Sequence, residues 1–161
     1  MSIYFSKNFK YGEIMCPCGC KTNRTIDPEL IYLSQALRDK INEPIFIPVG
    51  GGIRCIKYNN RISGYIDSPH IPYFINIKGK KEFRGCKAFD MFTENMDMIL
   101  LAREAKEVGF KRIGLYPFTF NRAIHADIIE PYPNESWVRD KSGKYKYFKT
   151  LEEAIKCVGK Y

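Results

Sequence analysis

Long apolar runs are missing from this chain. Nothing in its 161 residues approaches the roughly 18 uninterrupted apolar residues of a membrane span, and the opening segment, Met1 to Met15, lacks the apolar centre of a secretory signal. The expectation is a soluble protein with no export signal of its own, cytoplasmic at synthesis. Internal repeats, low-complexity tracts and linker-like stretches are also absent. That excludes solenoids and arrays and leaves a single domain over residues 1–161. Acidic residues are scarce, 18 against 26 Lys and Arg, for a net charge of +8. Such a surplus favours anionic partners, which include nucleic acid, acidic membranes and the anionic polymers of a bacterial wall. Histidine is rarer still, with two in the chain. The paired CxxC spacing of a zinc ribbon does not occur, although there are six cysteines.

What the chain does have is enough for a packed core: 45% hydrophobic residues, 14% of all residues being aromatic. Asp27 as cap, Pro28 at the first position, and Leu30, Leu33, Leu37 and Ile41 on one face predict a helix over Pro28 to Ile41. A short strand over Ile45 to Pro48 then runs into Gly50, Gly51 and Gly52, where a sharp turn or a close backbone approach is expected. The stretch Tyr73 to Ile77, a basic tip at Lys78 to Lys81, and a second extended run to Asp90 read as a β-hairpin. A second helix is expected from Asn95 to Val108, stopped by Gly109, followed by strands at Arg112 to Tyr116 and Ala123 to Ile129. The tail offers an aromatic run, Tyr145 to Phe148, and a last helix opened by the capping box of Thr150 and Glu153. Helices and short strands without βαβ alternation predict an α+β domain around an antiparallel sheet flanked by helices.

Both histidines sit in settings that suit chemistry. His70 follows Ser68 and Pro69 in a loop, and His125 lies in the strand-like run Ala123 to Ile129. Alternation along a strand puts His125 and Asp127 on one side, toward a cleft, and Ile124, Ala126 and Ile128 on the other, toward the core. Asp90 is a second polar residue closing an apolar strand. Two imidazoles and one carboxylate make a familiar catalytic zinc set with a fourth position open. The run Cys16-Pro17-Cys18-Gly19-Cys20 places three thiols within five residues; it is compatible with a structural metal site, a redox-dependent disulfide, or buried and idle thiols.

In order along the chain, Ser68-Pro69-His70, Ala88-Phe89-Asp90 and His125-Ala126-Asp127 resemble the S-x-H, A-x-D and H-x-D pattern of the zinc D-Ala-D-Ala carboxypeptidase family. That family contains phage endolysins and peptidoglycan endopeptidases and shares its fold with the hedgehog signalling domain. Gly52-Ile53-Arg54-Cys55 resembles its G-Y-R-C motif, and the Cys16 to Cys20 run resembles a cysteine-rich entry in small phage and bacterial members. The resemblance extends from about Ser6 to Ile128. It implies a hedgehog/DD-peptidase-like fold, zinc on His70, Asp90 and His125, and a substrate site at Arg54 and Ser68, with Arg54 receiving a peptide's terminal carboxylate. The implied activity is metal-assisted hydrolysis of peptides in bacterial cell-wall peptidoglycan.

Two departures accompany the resemblance. His70 and Asp90 are 20 positions apart where the family has seven, and removing the 13 residues from Pro72 to Arg84 restores that spacing. The hairpin thus reads as an insertion beside the metal site. The position three residues before the last histidine, acidic in many members, is Arg122, and a guanidinium cannot act as a base. Asp127 is then the nearest substitute, as catalytic base or as partner of a ligand, with Glu94 and Glu130 behind it. A non-catalytic zinc-containing module that docks on the wall, within a phage particle or released at lysis, is the second reading. Nucleic-acid binding through the basic, aromatic tail Lys144 to Lys149 ranks last.

Overall fold

The architecture comes from a computed structural model, which describes residues 4–20, 25–75 and 78–160. Helix α1 (Tyr11–Ile14) precedes α2 (Pro28–Ile41), which has the predicted bounds: the Asp27 carboxylate accepts from the Glu29 N–H, and Asn42 closes the helix in a left-handed conformation. Leu30, Leu33 and Leu37 are buried. Full burial of each such side chain contributes about 2 kcal/mol. The short α3 (Ile56–Arg61) follows.

The glycine run behaves as expected. Gly51 N–H closes a turn on the Pro48 carbonyl at 2.7 Å, and Gly52 passes so near α1 that a Cβ there would lie 2.5 Å from the Ile14 backbone. The strand expected at Ile45 to Pro48 reduces to a single bridge between Phe46 and Phe92. Prolines at 44 and 48 deprive both ends of ladder donors, which explains the difference.

Strands β1 (Tyr73–Ile75) and β2 (Lys81–Phe83) form the expected antiparallel hairpin, with Tyr73 opposite Phe83. Asn76 and Ile77, assigned to its first strand, lie outside the described residues. The second run does not continue to Asp90 in the same sheet. Its far part is β3 (Ala88–Met91), which joins the main sheet. Arg84 and Gly85 N–H groups both reach the Pro72 carbonyl, at 2.8 and 3.1 Å. The hairpin's ends therefore meet, as an insertion's must.

Helix α4 (Met98–Val108) starts three residues later than expected because Asp97 is its cap, accepting from the Ile99 N–H; Gly109, at φ 116°, ends it. Strands β4 (Arg112–Leu115), β5 (Ile124–Asp127), β6 (Ser136–Arg139) and β7 (Tyr145–Phe148) follow, then α5 (Leu151–Val158) with the predicted capping box. The main sheet has the order β3-β5-β4-β6-β7. The expected antiparallel sheet is mixed: β6 crosses to the far side of β4 and runs parallel to it, while the other pairings are antiparallel. Phe89, Ala126 and Ile113, with Met91, Ile124, Leu115 and Val138, join α2, α4 and α5 in one core. Among the described residues no helix is long and apolar enough to cross a membrane.

The opposite sheet face carries the polar positions. Register aligns Asp90, His125, Gly114, Trp137 and Tyr147 in one row across all five strands.

Candidate metal centre

Three segments converge on the edge of that row. Asp90 comes from β3, His125 from β5, and His70 from the turn that precedes the hairpin. The turn is built locally: Ser68 N–H bonds the Tyr65 carbonyl, Ile71 N–H bonds the Ser68 carbonyl, and Ser68 Oγ accepts from the His70 N–H at 3.4 Å. Ser68 is buried, so its hydroxyl shapes the turn that presents His70. His70, Asp90 and His125 are 1%, 8% and 4% exposed.

Hydrogen bonds fix both imidazole tautomers. His70 Nδ1 donates to the Gly52 carbonyl at 2.8 Å, which leaves Nε2 as the lone-pair nitrogen. His125 Nε2 donates to Asp127 Oδ2 at 3.0 Å, which leaves Nδ1 free for a ligand role. These two nitrogens stand 3.2 Å apart, and Asp90 Oδ1 lies 2.9 Å from His125 Nδ1 and 3.4 Å from His70 Nε2. Three acceptors thus face one another with no donor of their own. Ligand bonds of about 2.0–2.2 Å in a tetrahedron put donor atoms about 3.3 Å apart. The observed separations match that spacing, and the three groups form a candidate metal site. Nitrogen and oxygen donors in this number suit zinc and leave a position open.

The surroundings hold each ligand. Asp127 is fully buried and bound by Arg112, whose Nε and Nη2 reach its oxygens at 3.0 and 2.7 Å; Ile129 N–H adds a third bond at 2.9 Å. The cleft side expected for Asp127 is therefore closed by Arg112, its neighbour in register on β4. Arg54 Nη2 pairs with Asp90 Oδ2 at 2.5 Å and its Nε donates to the Gly50 carbonyl, so the guanidinium faces the carboxylate ligand from behind. Arg122 is exposed and adopts φ 44° at the end of the turn before β5. Glu94 is exposed, and Glu130 is ion-paired with Lys111.

Trp137 escaped the sequence reading. Its ring lies 5.0 Å from that of His125, and it reaches there by leaning across Gly114. A Cβ at Gly114 would sit 2.4 Å from the indole, so Gly114→Ala is expected to displace Trp137 and cost about 1–3 kcal/mol. Denaturant unfolding with and without metal measures both the loss and any effect at His125. A glycine inside the apolar strand Arg112 to Leu115 was the available sign, since strand glycines mark close approaches.

Charge in the site is divided unevenly. Burial and the Arg54 guanidinium push His70 down to about 4. Burial also opposes a charge on His125, but hydrogen bonds to Asp127 and Asp90 outweigh it and hold that imidazole above its ordinary range. Burial acts to raise Asp90, yet the histidines and Arg54 together keep it well below the usual carboxylate range. Below the His125 pKa the metal-free site holds a proton on His125 Nδ1, facing Asp90 Oδ1 at 2.9 Å. A metal ion must displace that proton and no other, because His70 stays neutral and Asp90 stays ionised. Metal affinity is thus expected to fall by about one decade per pH unit below the His125 pKa, not two, until His70 titrates near pH 4. Chelator competition across pH measures the slope.

A family model described as Peptidase M15 matches residues 7–127, which include His70, Asp90 and His125. The chain belongs to the peptidase M15 family. Comparison with the curated proteins and with the solved structures gave no match. Family membership carries the peptidase class and metal dependence, and the trio supplies the possible metal site within the matched segment.

Proposed function

We propose that this M15 family member is a zinc-dependent peptidase acting on peptides of bacterial cell-wall peptidoglycan, of the carboxypeptidase or endopeptidase type. The observation that carries the reading is the convergence of His70 Nε2, His125 Nδ1 and Asp90 Oδ1 with both tautomers fixed. When bound there, zinc would acidify a water molecule to a pKa of about 7 and polarise the scissile carbonyl. Gly52 and Asp127 orient the two imidazoles, and Arg54 engages one oxygen of Asp90 so that the other is presented to the ion.

Arg54 is thereby occupied, so the exposed Arg122 is our choice for the group that receives a substrate carboxylate. Arg122 lines a depression of about 500 Å³ with Phe92, Glu94, Met98 and Phe120. In sequence its lining residues run from Phe92, two past Asp90, to Arg122, three short of His125. Glu94 is the carboxylate we assign to proton transfer, Asp127 being buried behind its histidine. Phage origin, with action at host lysis or from a virion, accords with the resemblance to endolysins.

A second reading is supported by one observation: among the described residues, the only carboxylates paired with the two histidines are Asp90 and Asp127, and neither is available as a base. A zinc-containing module that docks on the wall without cutting it would have this arrangement. Incubating the zinc-loaded protein with purified peptidoglycan and assaying new amine and carboxyl ends separates the two. New ends that vanish with chelator support the peptidase; zinc retention and wall binding without new ends would support the docking module.

A further inference from the structure

A second cluster lies on the other side of Arg54. Cys16, Cys18, Cys20 and Cys55 bring their four sulfur atoms within 4.8 Å of one another. Three come from the loop after α1 and the fourth from the residue that caps α3, 35 positions beyond Cys20. Cys16 Sγ lies 3.3 Å from Cys18 Sγ, and Cys18 Sγ lies 3.6 Å from Cys55 Sγ. A tetrahedron with zinc–sulfur bonds of about 2.3 Å has edges of about 3.8 Å. The two closest contacts, 3.3 and 3.6 Å, fall slightly short of that edge, as thiols drawn together without an ion would, and none of the four cysteines is in a disulfide.

The local backbone suits this use. Gly19 N–H closes a turn on the Cys16 carbonyl at 3.2 Å with Pro17 at the corner, and Gly19 takes φ 71°. That left-handed step turns the chain back so that Cys20 joins the two thiols before it. Backbone donors also aim at sulfur: Cys55 N–H points to Cys16 Sγ at 3.4 Å and Tyr58 N–H to Cys55 Sγ at 3.3 Å. Such bonds are strengthened when the acceptor carries charge, as a metal-bound thiolate does. Cys16 and Cys55 are buried and Cys18 is exposed, so the cluster is walled on one side and reachable from the other. Cys86 and Cys157 stand outside it.

We propose that Cys16, Cys18, Cys20 and Cys55 form a tetrathiolate site for a structural zinc ion, separate from the histidine and aspartate centre. The set is closed, with four protein ligands and no open position, which is the mark of a structural site. Its place in the fold gives it a job. The two segments it joins continue as one seam, with Ile53 N–H bonded to the Ile14 carbonyl at 2.7 Å and Gly52 pressed against Ile14. From that seam Gly52 orients His70 and Arg54 engages Asp90. The tetrathiolate ion clamps the seam one residue from Arg54.

Cobalt(II) titration of metal-free, reduced protein tests this, with wild type, His70→Ala and Cys18→Ser compared. Expected is a near-ultraviolet thiolate-to-cobalt charge-transfer band in wild type and equally in His70→Ala, abolished or strongly weakened in Cys18→Ser. Zinc content should be two equivalents in wild type and one in His70→Ala. Should Cys18→Ser not fold, the wild-type and His70→Ala spectra decide alone. No charge-transfer band in either, or disulfides among these four cysteines in protein purified without reductant, would overturn the proposal. Two equivalents of zinc retained in His70→Ala with the band intact would count against the peptidase reading alone, so the two ideas fail separately.

Discussion

Replacing His70 or His125 by alanine is expected to remove one equivalent of zinc and all zinc-dependent hydrolysis while the chain stays folded. Each histidine supplies one of three donor atoms, and a site left with one imidazole and one carboxylate has too few ligands to compete with a chelator. The energetic signature is distinct from simple unfolding. An ion present at about 1,000 times its Kd stabilises the native state by about 4 kcal/mol, because it binds the folded chain alone. Wild type should therefore lose stability on that scale when the site is stripped, and His70→Ala should show none of this site's share. The side chain itself costs less, since truncation leaves Asp90 paired with Arg54 and His125. Chemical denaturation with and without added zinc, beside elemental analysis, gives both numbers. Full zinc retention at this centre in both variants would sink the ligand assignment and the peptidase proposal with it.

Legibility in the sequence followed the range of the interactions involved. Asp27, Gly109 and Thr150 cap helices within a few residues of themselves, so α2, the end of α4 and α5 could be read from local pattern. Strand alternation likewise put His125 and Asp127 on one face. What alternation could not supply was the strand order. Arg112 covers Asp127, and Trp137 touches His125, only because β4 lies between β5 and β6, with β6 parallel to it. Crossovers of that kind are set by packing of the whole sheet, and no short window contains them. Cys55 was visible as a motif residue beside Arg54, but its meeting with Cys16 and Cys18 depends on the seam between Ile14 and Ile53. The hairpin's independence was legible for the opposite reason: its two strands pair with each other, and its ends meet at Pro72.

Asp127→Asn separates the two roles that sequence left open for this residue. Asparagine keeps the shape and can still accept from His125 Nε2, but it cannot also neutralise Arg112, which now bonds both carboxylate oxygens. Breaking a buried ion pair on one side typically costs about 3–5 kcal/mol, and the quarter-exposed Arg112 side chain places this case toward the lower end. If Asp127 acts by holding His125, the loss of its negative charge behind the imidazole should lower metal affinity by about 10-fold, the low end of the effect of disturbing a ligand's partner because the hydrogen bond itself is kept, with much of the rate recovered at saturating zinc. A base would leave the opposite record: unchanged affinity, and a rate at saturating zinc lower by about 10²–10⁴-fold. The structure favours the first outcome, because both oxygens of Asp127 are already engaged and its side chain is closed to solvent. Glu94→Gln is the matching control. Glu94 lines the depression and takes no part in the hydrogen bonds that hold His70, Asp90 and His125, so the substitution should leave zinc affinity unchanged and lower the rate, and the two variants divide binding from proton transfer between them.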